Sequence, residues 1–386
     1  MVFSSITFLF YFLPIVLAIY YIVPNKAKNT VLLLASLFFY FYGEPTYVII
    51  MVISIVLTYI LGLLMDKYPK YKKTFLTLSI VLSVGILVYF KYFNFLIENI
   101  NMWIGGKIDF IYVALPIGIS FYTFQLISYI IDVYRGDAKV QKNLLKLATY
   151  IALFPQLIAG PIVRYTTIED QLEKREHSFS KFSLGTRRFI IGLGKKVLIA
   201  NILGELANTF IGSTDNSTLF YWLYGISNML QIYFDFSGYS DMAIGLGKMF
   251  GFEFLENFDY PYTSTSITEF WRRWHISLGT WFRDYIYFPL GGNRVSKIKW
   301  IRNIMVVWLL TGLWHGAAWN FIIWGLYFGI LLMIEKLFLK KFLDKLPKFI
   351  SRIYVLFIVM VSFIIFSGTT TNEIFRNLGG LVGIGT

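Results

Sequence analysis

Tyr47-Val-Ile-Ile-Met-Val-Ile-Ser-Ile-Val-Leu-Thr-Tyr-Ile-Leu-Gly-Leu-Leu-Met65 runs for nineteen residues without a charge. A helix rises 1.5 Å per residue, so a run of this length reaches across a hydrocarbon core of about 30 Å. Lys67, Lys70, Lys72 and Lys73 follow at once. The same alternation of apolar run and basic cluster continues in both directions, and it predicts spans at 6–23, 30–42, 47–65, 74–93, 110–133, 189–211, 219–247, 303–315, 319–335 and 353–367. Composition agrees: the chain of 386 residues is 57% apolar and only 15% charged, with a mean hydropathy of +0.63. Soluble domains carry about a quarter charged residues. The expected fold is therefore all-α, a polytopic transmembrane helical bundle forming one membrane domain over 1–386, with no repeat or soluble domain visible. The opening run 6–23 reads as a retained first helix and not as a signal peptide, because no basic residue precedes it and no small-residue cleavage site follows.

The formal charge of +13 invites comparison with nucleic-acid binders, but the basic residues fall between apolar runs, and nucleic acid is set aside. If every cluster is cytoplasmic, that side holds roughly 32 of the 35 basic residues, as the positive-inside rule requires. The N-terminus is then outside. Residues 147–163 break the pattern. They are apolar, flanked by basic clusters on both sides, and interrupted by Pro155 and Gly160-Pro161. A re-entrant segment is expected there, a shape tolerated at membrane depth only when protein or a water-filled cavity surrounds it.

Chemistry has few candidates. With no cysteine, disulfides, thiolate metal sites and thioester enzyme intermediates are excluded. No two histidines stand at ligand spacing, so no metal is expected. Three histidines remain. His177 lies among Glu173, Lys174, Arg175 and Glu176 and reads as a solvated loop residue. His315, in Leu313-Trp314-His315-Gly316-Ala317-Ala318-Trp319, stands about 20 Å beyond Arg302 along a helix, in a hairpin whose turn is expected near Gly316. An ionisable group at that depth is a functional candidate, and an imidazole there can take a proton from a hydroxyl. His275 follows a capping box, Ser266-Ile267-Thr268-Glu269. One amphipathic interfacial helix is expected there, with Phe270, Trp271, Trp274, Leu278, Trp281, Phe282 and Tyr285 on its apolar arc and Arg273 and Asp284 opposite. Arg272, Arg273 and Arg283 are the candidate donor-binding residues, placed to meet phosphates; lipid phosphates would occupy the same groups. Asp235 and Asp241 interrupt an apolar run, either lining a polar cavity or pairing with buried cations. Trp314 and Asn320 are further cavity-lining candidates beside His315.

The stretches Trp271-Arg-Arg-Trp-His-Ile-Ser-Leu278, Trp281-Phe-Arg-Asp-Tyr-Ile-Tyr-Phe-Pro-Leu-Gly-Gly-Asn-Arg294 and Gly312-Leu-Trp-His-Gly-Ala-Ala-Trp319 resemble the membrane-bound O-acyltransferases, in particular the alginate O-acetyltransferase type. The opening Met1-Val-Phe-Ser-Ser5 and Phe154-Pro-Gln-Leu-Ile-Ala-Gly-Pro-Ile-Val-Arg164 resemble it too. The resemblance implies that His315 matches the family's invariant membrane histidine and His275 its second characteristic histidine, on the cytoplasmic side. It also implies an acyl thioester donor, acetyl-CoA or an acyl-carrying protein, with no bound cofactor. It further implies an SGNH or esterase-like acyltransferase partner outside, and a polysaccharide acceptor. The chain stops soon after Leu378-Gly-Gly-Leu381, whereas family members usually continue through more helices, so a truncated or naturally short form is expected.

The expected mechanism binds the thioester near Arg272, Arg273 and His275 and uses His315 to deprotonate the acceptor hydroxyl; an acyl-His315 intermediate stays open. Two rivals belong to other classes. A proton-coupled carrier would use Asp235 and Asp241, and a non-catalytic scaffold for polysaccharide export would need neither histidine.

Overall fold

The computed structural model describes residues 1–106, 108–111, 113–211, 213 and 216–384, and every regular element among them is helical. Four helices are long and apolar enough to cross a membrane, Val48–Lys67, Pro69–Ile104, Trp319–Leu343 and Lys348–Ser367, with a shorter apolar helix at Thr7–Ile22. The chain is a multi-pass membrane protein. It forms two compact units, Met1–Leu193 with Tyr239–Leu255, and Gly194–Gly238 with the residues from Glu256 onward.

In the first unit a π turn leads into α1 (Leu13–Ile22), followed by α2 (Lys28–Gly43), α3 (Val48–Lys67), α4 (Lys72–Ile104) and α5 (Ile119–Arg135). The sequence pattern places a helix over 110–133, but helix begins only at Ile119. Asparagine side chains on α4 account for the difference. Asn94 exchanges hydrogen bonds with the backbone of Ile111 at 2.9 and 3.2 Å, and Asn101 with that of Ile108 at 3.0 and 2.8 Å. These amides satisfy the backbone groups of an extended segment that helix formation would otherwise have to satisfy.

The interrupted segment 147–163 is a short helix followed by a break and a single turn. α6 (Leu144–Ala152) is nine residues long, about 13 Å, which is under half the hydrocarbon thickness. The chain breaks at Leu153, makes the single turn α7 (Phe154–Leu157) with Pro155 in its first turn, turns again over 158–160 and reaches Arg164 without regular structure. All eight residues from Tyr150 to Leu157 are buried. The backbone groups freed by the break are met by protein: Phe154 N–H donates to Ser36 Oγ at 3.0 Å, the Gln156 amide to the Tyr150 carbonyl at 2.6 Å, and the Tyr150 hydroxyl to the Val163 carbonyl at 3.0 Å. This is the condition under which irregular backbone survives away from water. α8 (Tyr165–Glu173) and α9 (Phe179–Gly194) follow.

The second unit opens with α10 (Asn201–Ile211) and takes in α11 (Thr218–Met249) as far as Gly238. Then come α12 (Ile267–Arg273), α13 (Ile276–Phe282), α14 (Lys297–His315) and α15 (Trp319–Ile334). A π turn carries α15 into α16 (Lys340–Leu343), and α17 (Lys348–Ser367) and α18 (Thr371–Gly380) complete the unit. α14 and α15 form the hairpin expected from the sequence, turning at residues 316–318. Their backbones nearly touch. A Cβ built on Gly312 would stand 2.3 Å from the Phe321 carbonyl oxygen, and one on Gly325 2.3 Å from that of Trp308. Only glycine permits such an approach, which is the small-residue packing of membrane helices.

α12 is tied at its first turn to the end of α15. Ser266 Oγ accepts the Glu269 N–H at 3.1 Å, as the capping box anticipates, but the other free donors go elsewhere. The fully buried carboxylate of Glu335 accepts the Ile267 and Thr268 N–H groups at 2.6 and 2.9 Å and the Thr268 hydroxyl at 2.8 Å. A helix N-terminus presents partial positive charge and unpaired donors, so an acceptor anion stabilises it. Replacing Glu335 with Ala orphans one buried and one part-buried N–H group and is expected to cost about 2–4 kcal/mol. Glu335→Gln keeps an acceptor and should lose clearly less. Thermal unfolding of the detergent-solubilised protein checks the order; equal melting temperatures for both variants and the native chain would refute it.

Candidate active site

The amphipathic run 266–285 does not make the single helix the wheel suggests. It breaks at Trp274-His275, where His275 adopts a left-handed backbone (φ 44°, ψ 53°). A non-glycine residue held there costs about 1–2 kcal/mol. Long-range pairing offsets the cost: Ile276 N–H donates to the Asn257 carbonyl at 3.0 Å, and Asp259 N–H to the Arg273 carbonyl at 2.9 Å. Packing adds to it, because the Trp271 ring lies 4.7 Å from Trp308, 5.6 Å from Trp324 and 4.8 Å from Phe328. The short helices α12 and α13 are thus clamped against the α14–α15 hairpin, and the break between them turns His275 inward.

His275 is only 2% exposed. Its ring stands edge-on to Phe236 at 4.6 Å and to Trp314 at 5.8 Å. Nδ1 lies 3.3 Å from Asn257 Oδ1 and 3.4 Å from Ser277 Oγ, whereas Nε2 is buried without a hydrogen-bond partner. His275 belongs to a segment between the spanning helices, and burial holds its imidazole well below the ordinary histidine range, with the positive charge of a protonated His315 adding to the effect. The two histidines share a neighbour, the Trp314 ring. His315 ends α14 and is half-buried, its ring enclosed by Trp314 at 5.0 Å, Trp324 at 4.9 Å and Phe366 at 5.3 Å. Trp314, itself buried, touches both imidazoles.

His275 opens onto a cavity of about 810 Å³, within the range of small-molecule sites. Trp308 and Thr311 line its buried side with His275, while Arg272, Arg283 and Lys336 line it from exposed positions, and Lys340 joins them. Arg272 makes no hydrogen bond or ion pair among the described residues, so its guanidinium is available. Arg283 is held by Asp284 through bonds of 2.7 and 3.1 Å yet still reaches the cavity. Lys336 lies over the Trp300 ring at 4.6 Å and donates to Asn293 Oδ1 at 2.8 Å.

Several candidates from the sequence lie elsewhere. Arg273 does not line the cavity; it points the other way along the helix and is committed to Glu269 at 3.1 Å and Asp259 at 3.2 Å. Asp235 is ion-paired with Lys196 and Asp241 with Arg188 at 2.6 Å, so of the two readings of these acids the structure takes the pairing one. The Asn320 amide donates to the Phe366 carbonyl at 2.7 Å, a bond that fixes the turn after His315 and does not face the cavity. His177 lies in a loop, as expected, half-exposed and with its Nε2 2.9 Å from the Tyr20 hydroxyl. Sequence reasoning passed over Asn257, Thr311, Lys336 and Lys340. The two lysines, four apart after an apolar run, carried a usable signal; Asn257, in a loop without motif, carried none.

Residues 34–374 match the membrane-bound O-acyltransferase family. The chain is similar to the probable alginate O-acetylase AlgI of Azotobacter vinelandii, at 44% identity over 395 residues that cover 100% of this chain and 79% of that protein. It is 34% identical to the peptidoglycan O-acetyltransferase of Helicobacter pylori over 422 residues, 100% of this chain and 80% of the relative. The teichoic acid D-alanyltransferase of Bacillus subtilis is 34% identical over 240 residues, 58% of this chain and 60% of its own length. A match running from α2 into α18 and taking in both histidines is decisive: the chain belongs to the membrane-bound O-acyltransferase family and is an O-acyltransferase.

Proposed function

We propose that the enzyme takes an acyl group, acetyl in the first instance, from a cytoplasmic thioester bound in the cavity beside α12 and α14. The group then passes toward a hydroxyl of an extracytoplasmic polysaccharide, with an SGNH or esterase-like partner receiving it at the outer face. One observation carries this reading. The cavity is polarised, with Arg272, Arg283, Lys336 and Lys340 at its exposed side and the His275 imidazole at its buried side. Cations suit the phosphates of coenzyme A or of a carrier protein's phosphopantetheine, and the aromatic walls suit the uncharged arm that ends in the thioester.

In the proposed reaction the acceptor oxygen attacks the thioester carbonyl while the His315 imidazole takes the hydroxyl proton. The tetrahedral intermediate expels the thiolate as the C–S bond breaks, and the proton held by the imidazole passes to sulfur. The charges thus return to their starting state. His275 faces the donor, His315 the acceptor, and the spacing along α14 supports opposite access: its basic start at Lys297, Lys299 and Arg302 is separated from His315 by most of a helix about 28 Å long. The relatives are named for alginate, peptidoglycan and teichoic acid, which favours a polymer hydroxyl as acceptor. A proton-coupled carrier finds less support, because Asp235 and Asp241 are each neutralised in an ion pair.

Labelled acetyl-CoA offered to inverted vesicles measures the transfer, read as label on glycan or on an outer partner. His315→Ala is expected to insert at native levels and to lose transfer by about 10²–10⁴-fold, the usual worth of a general base; native rates in that variant would remove His315 from the mechanism. Arg272→Ala combined with Lys336→Ala should raise the apparent KM for the donor by about tenfold or more with little change in kcat, the mark of uniform binding lost. Arg273→Ala should instead lower thermal stability and leave KM near its native value. A KM effect confined to Arg273 would show that the donor lies on the other face of α12.

A further inference from the structure

We infer that Asn257 is a positioning residue for acyl transfer: it locks His275 in the Nδ1–H tautomer and thereby keeps the Nε2 lone pair on the cavity side. The inference rests on the reading above that His275 faces the thioester.

The tautomer follows from a backbone donor whose identity is not in doubt. Ser277 N–H points at the Asn257 side chain at 3.2 Å, so the atom it meets must be the amide oxygen; the NH₂ group there would oppose donor to donor. The same oxygen accepts the Ser277 hydroxyl proton at 2.8 Å. His275 Nδ1 therefore faces two acceptors, Asn257 Oδ1 at 3.3 Å and a Ser277 oxygen whose proton is already given away, 3.4 Å distant. Facing these two oxygens, Nδ1 is placed to donate. A neutral imidazole protonated at Nδ1 is unprotonated at Nε2, and Nε2 is the nitrogen left buried without a partner. Asn257 and Ser277 do not line the cavity and His275 does, so Nε2, the ring nitrogen that neither of them engages, is the one left for a ligand there.

Three features suit this role to Asn257. Its side chain is fully buried, so water does not compete for Oδ1. Its own carbonyl accepts Ile276 N–H at 3.0 Å, so the residue that fixes the tautomer also holds the left-handed turn in which His275 sits. As a neutral acceptor it orients the ring without the imidazolium stabilisation that a carboxylate would supply. The arrangement is a histidine oriented through Nδ1 and working through Nε2, the division of labour that any imidazole base requires.

Three histidines make the test tractable in the whole membrane protein. ¹⁵N-histidine labelling distinguishes protonated from unprotonated ring nitrogens, and the difference from His275→Gln assigns the signals of His275. The native protein at neutral pH should show His275 protonated at Nδ1; protonation at Nε2 would overturn the inference. Asn257→Ala should mix the tautomers and lower the O-acyl ester content of the cell's envelope polysaccharide, measured with alkaline hydroxylamine, by about tenfold or more. Asn257→Asp retains the acceptor and should keep the Nδ1–H tautomer and restore ester content to within about threefold of native. Native ester content in Asn257→Ala overturns the positioning role. If that variant does not accumulate, a folded Asn257→Asp protein without the Nδ1–H tautomer overturns it equally. Full ester content in His275→Gln would instead sink the functional reading of His275, and the tautomer measurement would stand apart from it.

Discussion

A buried carboxylate holds the site's two halves in register. Glu335 sits at the end of α15, and its oxygens close on the first turn of α12, so the helix that leads to His275 is fixed to the hairpin that presents His315. An isolated buried carboxylate is costly, but this one accepts three hydrogen bonds at a helix N-terminus, where the partial charge is positive. The geometry matters more than the energy. α12 has seven residues, far too few to be stable alone, and its direction is set by what meets it at each end: Glu335 at the first turn and Asn257 with Asp259 at the last.

The clamp also sorts the two adjacent arginines. Successive residues on a helix point about 100° apart, so the face that turns Arg272 to the cavity turns Arg273 to Glu269 and Asp259. One guanidinium is spent on structure and its neighbour is free. From sequence alone the pair Arg272-Arg273 reads as one basic unit, because nothing local distinguishes a paired arginine from an open one. The acids behave likewise. Asp235 and Asp241 were legible as unusual in an apolar helix, but their partners Lys196 and Arg188 lie in another helix.

Features encoded locally were legible: the spans at 47–65 and 319–335, the α14–α15 turn, the proline-interrupted segment 147–163 and the Ser266 cap all follow from period, length or turn chemistry. Features that depend on distant backbone were not. The wheel over 266–285 has a continuous apolar arc, and its buried members Phe270, Trp274, Leu278, Trp281 and Tyr285 are indeed inside. The pattern nevertheless survives a break at His275, because two short helices can bury the same residues as one. What decides against continuity is backbone hydrogen bonding to Asn257 and Asp259, in the loop that precedes α12. The start of α5 at Ile119 has the same cause, since asparagines on α4 give residues 108–111 an alternative to helix.

The two imidazoles are embedded in opposite ways, and the difference bears on how work is divided between them. His315 is half-buried, with the rings of Trp314, Trp324 and Phe366 around it. His275 is buried apart from the cavity it lines, its Nδ1 edge set against Asn257 and Ser277, so turning the ring breaks those contacts. A group that must bind a proton and release it gains from access. A group that must present one lone pair in one direction, in surroundings that disfavour its charged form, gains from enclosure. The Trp314 ring packs against both imidazoles, so that on the proposed mechanism its apolar surface would help keep water from the thioester. Hydrolysis is the competing reaction for any acyl thioester, and excluding water from it favours transfer to a bound hydroxyl over loss to solvent.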